Sequence, residues 1–302
     1  MVNIKAAFKS DRSAKALTGL TINEFNSLLI SFERNFKANK KIINKRRKRI
    51  RKEGAGPKHT LDSVAEKLFF ILFYVKCYPT FDVAGFYFGG VNRAQPCRWV
   101  SNLLSILEKT LGYEVVLPER QINSVEEFQR KFPEIKDIFI DGTERPIQRP
   151  KNGKRQRKYY SGKKKRHTKK NIIASDQDRK VLFLSKTKTG KTHDKKALDK
   201  SGLAASIPDN VTSWYDTGFI GVHSQNIMIP KKRRKNKPLT LEESQENRII
   251  SGIRILSENA INGPKRFRAI TDVFRSRIAG LDDKLMNVAC GLWNYHLRLA
   301  AG

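Results

Sequence analysis

Two short apolar runs, Ile138-Phe139-Ile140 and Val211-Thr-Ser-Trp-Tyr215, each end in an aspartate closely followed by glycine: Asp141-Gly142 and Asp216-Thr217-Gly218. Runs of this length, bounded by turn residues, read as strands of a sheet. The first is continuously apolar and reads as a buried, central strand. A carboxylate at the end of such a strand is held by rigid backbone while it faces a cleft. That placement suits a metal ligand, and it equally suits an aspartate that only bonds its own backbone in the turn.

The charge balance narrows the partners. The chain has 302 residues, enough for a well-buried core and two domains, and carries 61 Lys and Arg against 29 Asp and Glu, a formal charge of +32. A surface that basic attracts polyanions, nucleic acid first, through release of condensed counterions. A hydrophobic content of 39% is too high for a disordered basic tail. Cys77, Cys97 and Cys290 share no metal-binding spacing, which argues against a disulfide framework and a cysteine zinc site. The expectation is a reducing compartment: cytoplasm, with nucleoid association, or the nucleus if the source is eukaryotic. The N-terminus has no apolar core of signal-peptide length. The longest apolar run, Leu68–Val75, is too short to cross a bilayer.

Along the chain, Ile22, Phe25, Leu28, Leu29, Phe32 and Phe36 have helical spacing, with Thr21 and Glu24 placed as a capping box. A basic run from Lys37 to Lys58 follows; it reads as a helix or loop over phosphates ending in a linker, as an import signal, or as a solvated charge run. Thr60-Leu-Asp-Ser opens a helix through about Cys77. After Pro79, a short helix, a Gly-bearing turn and a second helix to about Leu111 form a helix-turn-helix pattern or an ordinary helical hairpin. In the first case Asn92, Arg93, Gln95 and Arg98 face the major groove, being residue types that read base edges. Pro96 then belongs in the first turn of that helix. From Arg149 to Lys170 a dense basic tract contains Lys163, Lys164 and Lys165, without helical patterning, and suits contact with DNA phosphates. Strand-like runs follow at 171–175, 180–185 and 225–230. Helices are expected at 195–200, at 239–261 with Thr240 and Glu243 as a capping box, and at 281–299.

These motifs resemble those of DDE transposases of the insertion-sequence-five and PIF-Harbinger type. Strand-end Asp141-Gly-Thr-Glu, strand-end Asp216-Thr-Gly-Phe, and Arg254-Ile-Leu-Ser-Glu258 with Lys265 stand in the order of that group's three motifs. Ser251 occupies its tyrosine position, and Gly263-Pro264 precedes the lysine. His193-Asp194 is similar to a further His-Asp pair of the group and stands as an accessory candidate. The resemblance implies an α/β fold: an RNase H-like mixed sheet flanked by helices, preceded by an all-α helix-turn-helix region. It implies three segments, with an N-terminal helix and basic linker over 1–58, a DNA-binding region over 59–118 and the catalytic domain over 119–302. It further implies that Asp141, Asp216 and Glu258 hold two Mg²⁺ or Mn²⁺ ions for cleavage and strand transfer, with Arg254 and Lys265 on phosphates. The implied partners are double-stranded DNA, transposon ends and target, and further copies of the chain. Two other readings remain open: a domesticated DNA-binding protein without activity, and a basic RNA-binding structural protein. Glu144 or Asp194 also stand as alternative ligands, and Arg254–Glu258 as a plain i, i+4 helix pair.

Overall fold

The structure is a computed structural model that describes residues 4–46, 60–222, 226–233 and 238–300. The basic linker at 47–58, the start of the strand expected at 225–230 and part of the basic run after Pro230 lie outside the described residues. The chain forms two compact units: residues 1–117, 265–272 and 278–302 make one, and residues 118–264 and 273–277 the other.

The first unit is helical. Its helices are α1 (Ile4–Ala7), α2 (Asp11–Thr18), α3 (Ile22–Arg46), α4 (Val64–Cys77), α5 (Phe81–Tyr87) and α6 (Ala94–Tyr113), joined by α11 (Arg268–Thr271) and α12 (Leu281–Ala300) from the end of the chain. Helix α4 runs through the middle because Leu68–Leu72 are all fully buried, so it has no wet face to turn outward. Its start is fixed by Ser63, whose side chain forms a capping box with Glu66, three residues later than Thr60 suggested. Thr21 and Glu24 make the expected box: Glu24 N–H donates to Thr21 Oγ1 at 3.1 Å, and Glu24 Oε2 accepts from Thr21 N–H at 2.6 Å. Pro96 is the third residue of α6, within the first turn, where no intrahelical N–H bond is lost. Asn92, Arg93 and Arg98 are exposed there and Gln95 is half-buried. Asn92 Oδ1 accepts from Ala94 N–H at 3.0 Å and so closes the start of the helix.

The second unit is a mixed α/β structure. Strand β1 (Asp137–Pro146) is central; β2 (Tyr160–Ser161), β3 (Arg166–Ser175), β4 (Val181–Leu184), β5 (Lys188–Thr189), β6 (Thr212–Tyr215) and β7 (Ile227–Met228) complete the sheet. The order is β2-β3-β1-β6-β7, with β4 and β5 also paired to β3. Strand β3 runs antiparallel to β1, whereas β6 is parallel to β1 and β7 parallel to β6. Four helices belong to this unit: α7 (Val125–Lys131), α8 (Gly153–Tyr159), α9 (Asp194–Asp199) and α10 (Leu241–Asn262). Ile138, Ile140, Ile172, Ala174 and Tyr215 share one core cluster with Phe128 of α7 and with Ala197 and Leu198 of α9. Helix α10 packs against β1, β3 and β6, and its buried Ile250, Ala260 and Ile261 are outside that cluster, so it covers the opposite face. Thr240 and Glu243 form the expected capping box at its start.

Two segments differ from the sequence reading. The basic tract is not patternless: Asn152 caps α8, its Oδ1 accepting from Arg155 N–H at 3.1 Å, and β3 begins at Arg166. No residue of α8 is buried, so this helix has no apolar stripe by which periodicity could reveal it. The strand expected at 225–230 shrinks to Ile227–Met228, because Pro230 has no N–H to extend the ladder.

Candidate active site

The last paired residues of β1 and β6 are Ile140 and Tyr215, both buried in the core cluster. Side chains alternate along a strand. Asp141 and Asp216, each the next residue, therefore turn together to the other face, just past the end of the parallel ladder. Phe139 and Trp214, two residues earlier on the same face, stack with centroids 6.2 Å apart and planes 18° apart. Each acid is half-buried and bonds its own following backbone. Asp141 Oδ1 accepts from Gly142 N–H at 2.6 Å; Asp216 Oδ1 accepts from Thr217 N–H at 2.6 Å and from the Thr217 hydroxyl at 3.2 Å. The turn-capping role is present in both residues.

Glu258 is exposed on α10, the helix that covers the acids' face, and Arg254 lies one turn before it on the same helix. Helix α10 ends at Asn262, so Gly263-Pro264 interrupts the helix between Glu258 and Lys265. Gly263 caps α10, and Pro264 starts a tight turn, Pro264–Arg266, in which Lys265 is exposed. Lys265 belongs to the helical unit.

Glu144 and Asp194 stand on the other side of the sheet. Glu144 shares its face with Gly142 and Ile140 and is paired across the ladder with Lys170 of β3. The Lys170 ammonium, 5% exposed as a residue, lies 3.3 Å from Glu144 Oε1 and 2.6 Å from Asp194 Oδ1. Both acids are thus partners of one buried cation. His193 is exposed at the N-cap of α9 and makes no capping bond with its side chain.

The basic tract surrounds a cavity of about 610 Å³ lined by Arg149, Arg157, Tyr160, His167 and Lys191 among others. Lys163, Lys164 and Lys165 are exposed in the turn between β2 and β3.

A family described as DDE superfamily endonuclease matches residues 140–294, just over half of the chain and a span that holds Asp141, Asp216 and Glu258. The chain belongs to the DDE endonuclease superfamily. It is also 25% identical, over 98% of its length and 99% of the relative's, to the "Probable transposase for insertion sequence element IS702" of Microchaete diplosiphon. No solved structure matches it.

Membership of the DDE superfamily implies a divalent metal, and the residues fit one in donor chemistry. Two carboxylates at neighbouring strand ends offer the hard oxygen ligands that Mg²⁺ and Mn²⁺ take. Among the described residues, however, no three His, Cys, Asp or Glu side chains are gathered into a group that could hold an ion. Asp141 and Asp216 are the pair brought together by register; Glu258 does not complete a trio with them. No helix among the described residues is long and apolar enough to cross a membrane.

Sequence reasoning overlooked two buried cations. Lys170 sits in Lys169-Lys170-Asn171 at the end of the charge run, where alternation along a strand turns one of the two lysines inward. Arg145 is 5% exposed on the face of β1 that carries Asp141, and its Nη2 donates to Asn171 Oδ1 at 2.7 Å and Thr187 Oγ1 at 3.1 Å. The cluster ties β1 to β3 and to the segment before β5.

Proposed function

We propose that this chain is a DNA transposase of the insertion-sequence-five and PIF-Harbinger type, whose RNase H-like catalytic domain is the mixed α/β unit, residues 118–264 and 273–277. The observation that supports the reading is the parallel register that ends at Ile140 and Tyr215, each one residue before a candidate acid, inside the span matched by the endonuclease family. Both acids are oxygen donors on rigid strand ends, and Glu258, one helix away over the same face, is the candidate third donor. A divalent cation held by Asp141 and Asp216 would supply Lewis acidity for in-line displacement at phosphorus. Asp141 and Asp216 hold position through their own backbone N–H bonds. Arg254 would neutralise phosphate charge. Lys163, Lys164 and Lys165, with Arg149, Arg157 and Lys191 around the cavity, suit backbone contact with double-stranded DNA. Recognition of terminal repeats is assigned to 59–118, with Asn92 and Arg93 just before α6 and Arg98 in its second turn, and copies of the chain would assemble on the DNA.

The test is cleavage of a duplex bearing the element's own ends. Wild-type protein should nick it with Mg²⁺ or Mn²⁺ and stop when the metal is chelated. Asp141→Asn and Asp216→Asn should each abolish nicking and leave duplex binding largely intact, because each removes a ligand rather than a phosphate contact. Nicking by either variant at wild-type rate would refute the assignment.

A further inference from the structure

The carboxylate of Asp194 fills a space that two glycines leave open. A Cβ added to Gly142 would stand 2.9 Å from Asp194 Oδ1, and one added to Gly218 would stand 3.0 Å from Oδ2. Gly142 follows Asp141 directly, and Gly218 is the second residue after Asp216. One side chain is therefore wedged against both chain segments that carry the strand-end acids, from the face of the sheet opposite those acids.

The wedge is itself fixed. Lys170 Nζ donates to Asp194 Oδ1 at 2.6 Å and to the Thr192 carbonyl at 2.9 Å, and lies 3.3 Å from Glu144 Oε1. The ammonium thus donates two hydrogen bonds and is paired electrostatically with a second carboxylate. Glu144 Oε2 in turn accepts from the Thr168 hydroxyl at 2.7 Å. Glu144 lies on β1 three residues past Asp141, so the contacts that leave this strand at Gly142 return to it at Glu144. Helix α9 has only six residues, and its place is set by this ion pair together with the burial of Ala197 and Leu198.

We propose that Asp194, backed by Lys170, is a positioning residue that sets the separation of Asp141 and Asp216. Two like charges side by side repel, so the strand ends must be held from behind if both acids are to stay at one ion. The glycines serve as seats: any larger residue at either position would push its strand end away from the wedge. This inference rests on the reading of Asp141 and Asp216 as a ligand pair, and its first measurement is independent of that reading.

Amide hydrogen exchange on the full-length, metal-free protein, read by mass spectrometry, reports on the strand ends directly. Asp194→Ala should speed exchange over 138–146 and 212–220 together and leave α7 and β4 unchanged. Faster exchange at only one strand end, or throughout the unit, would overturn the proposal. A Mn²⁺ titration then reads the consequence: loss of an outer partner should weaken affinity about tenfold. Gly218→Ala should weaken it in the wild-type background and have no further effect once Asp194 is alanine, since the crowding is then gone; additive losses would overturn the proposal. Should Asp194→Ala not fold, Gly142→Ala and Gly218→Ala leave Asp194 and Lys170 in the chain and carry the test alone. Lower Mn²⁺ affinity at an unchanged melting temperature supports the proposal, and unchanged affinity overturns it. If the wild-type protein binds no Mn²⁺, the ligand-pair reading falls, and exchange at the two strand ends still decides whether Asp194 holds them.

Discussion

The indole Nε1 of Trp214 donates to Asp137 Oδ1 at 2.7 Å, tying β6 to β1 at the end of the ladder away from the two acids. This bond and the stacking of Trp214 on Phe139 select the register in which Asp141 and Asp216 stand level. A slip of one residue would turn the second acid into the core.

Trp214→Phe keeps the stacking and loses the hydrogen bond. It should lower unfolding free energy by about 0.5–1.5 kcal/mol, measured by denaturant titration with an unchanged slope. A loss confined to experimental error would mean that stacking alone sets the register.

Replacing Lys163, Lys164 and Lys165 together with alanine should weaken binding equally on unrelated duplexes. If all three neutralise phosphates, the slope of log K against log salt becomes shallower by about 2–3. These side chains are exposed in a turn, so thermal stability should be unaffected. A loss on one duplex alone would make the turn a base reader.

Arg93→Ala tests recognition by α6. Loss of a bidentate base contact typically costs about 1–3 kcal/mol and relaxes preference at that base. Terminal-repeat binding should fall more than random-duplex binding at matched salt. Equal losses would leave α6 gripping backbone only and would move recognition to another part of the helical unit.

Asp176 gives a pH-dependent prediction. Burial, reinforced by the neighbouring Asp178 charge, holds its carboxyl above the usual range, although the Lys180 N–H bond pulls the other way. A folded-state value above the unfolded one means that the ionised form is the less favourable form in the fold. The penalty is fully present at neutral pH and is relieved as pH falls through the raised value. Asp176→Asn retains an oxygen acceptor for Lys180 and should melt higher at pH 7, with the gain vanishing in acid. A constant gain at every pH would point to a cause other than charge.

Much of the local structure was legible because it follows from short-range chemistry. Capping boxes at Thr21 and Thr240 were visible as residue pairs three apart, and the strand-end acids as a change from apolar run to Asp-Gly. The setting of Asp194 was not. His193-Asp194 stood out only by resemblance, since its partners Lys170, Gly142 and Gly218 lie on three other segments, and a pair formed by tertiary packing leaves no periodic trace. Helix α8 was missed for a related reason: it is made by one cap and buries nothing.

Strand β7 has two residues, Ile227 and Met228, before Pro230 and Lys231. An imino acid and a cation so close to a sheet's outermost ladder leave a second chain little to pair with. If copies of this protein assemble on one duplex, as proposed above, this edge gives them little means of zipping together as a continuous sheet.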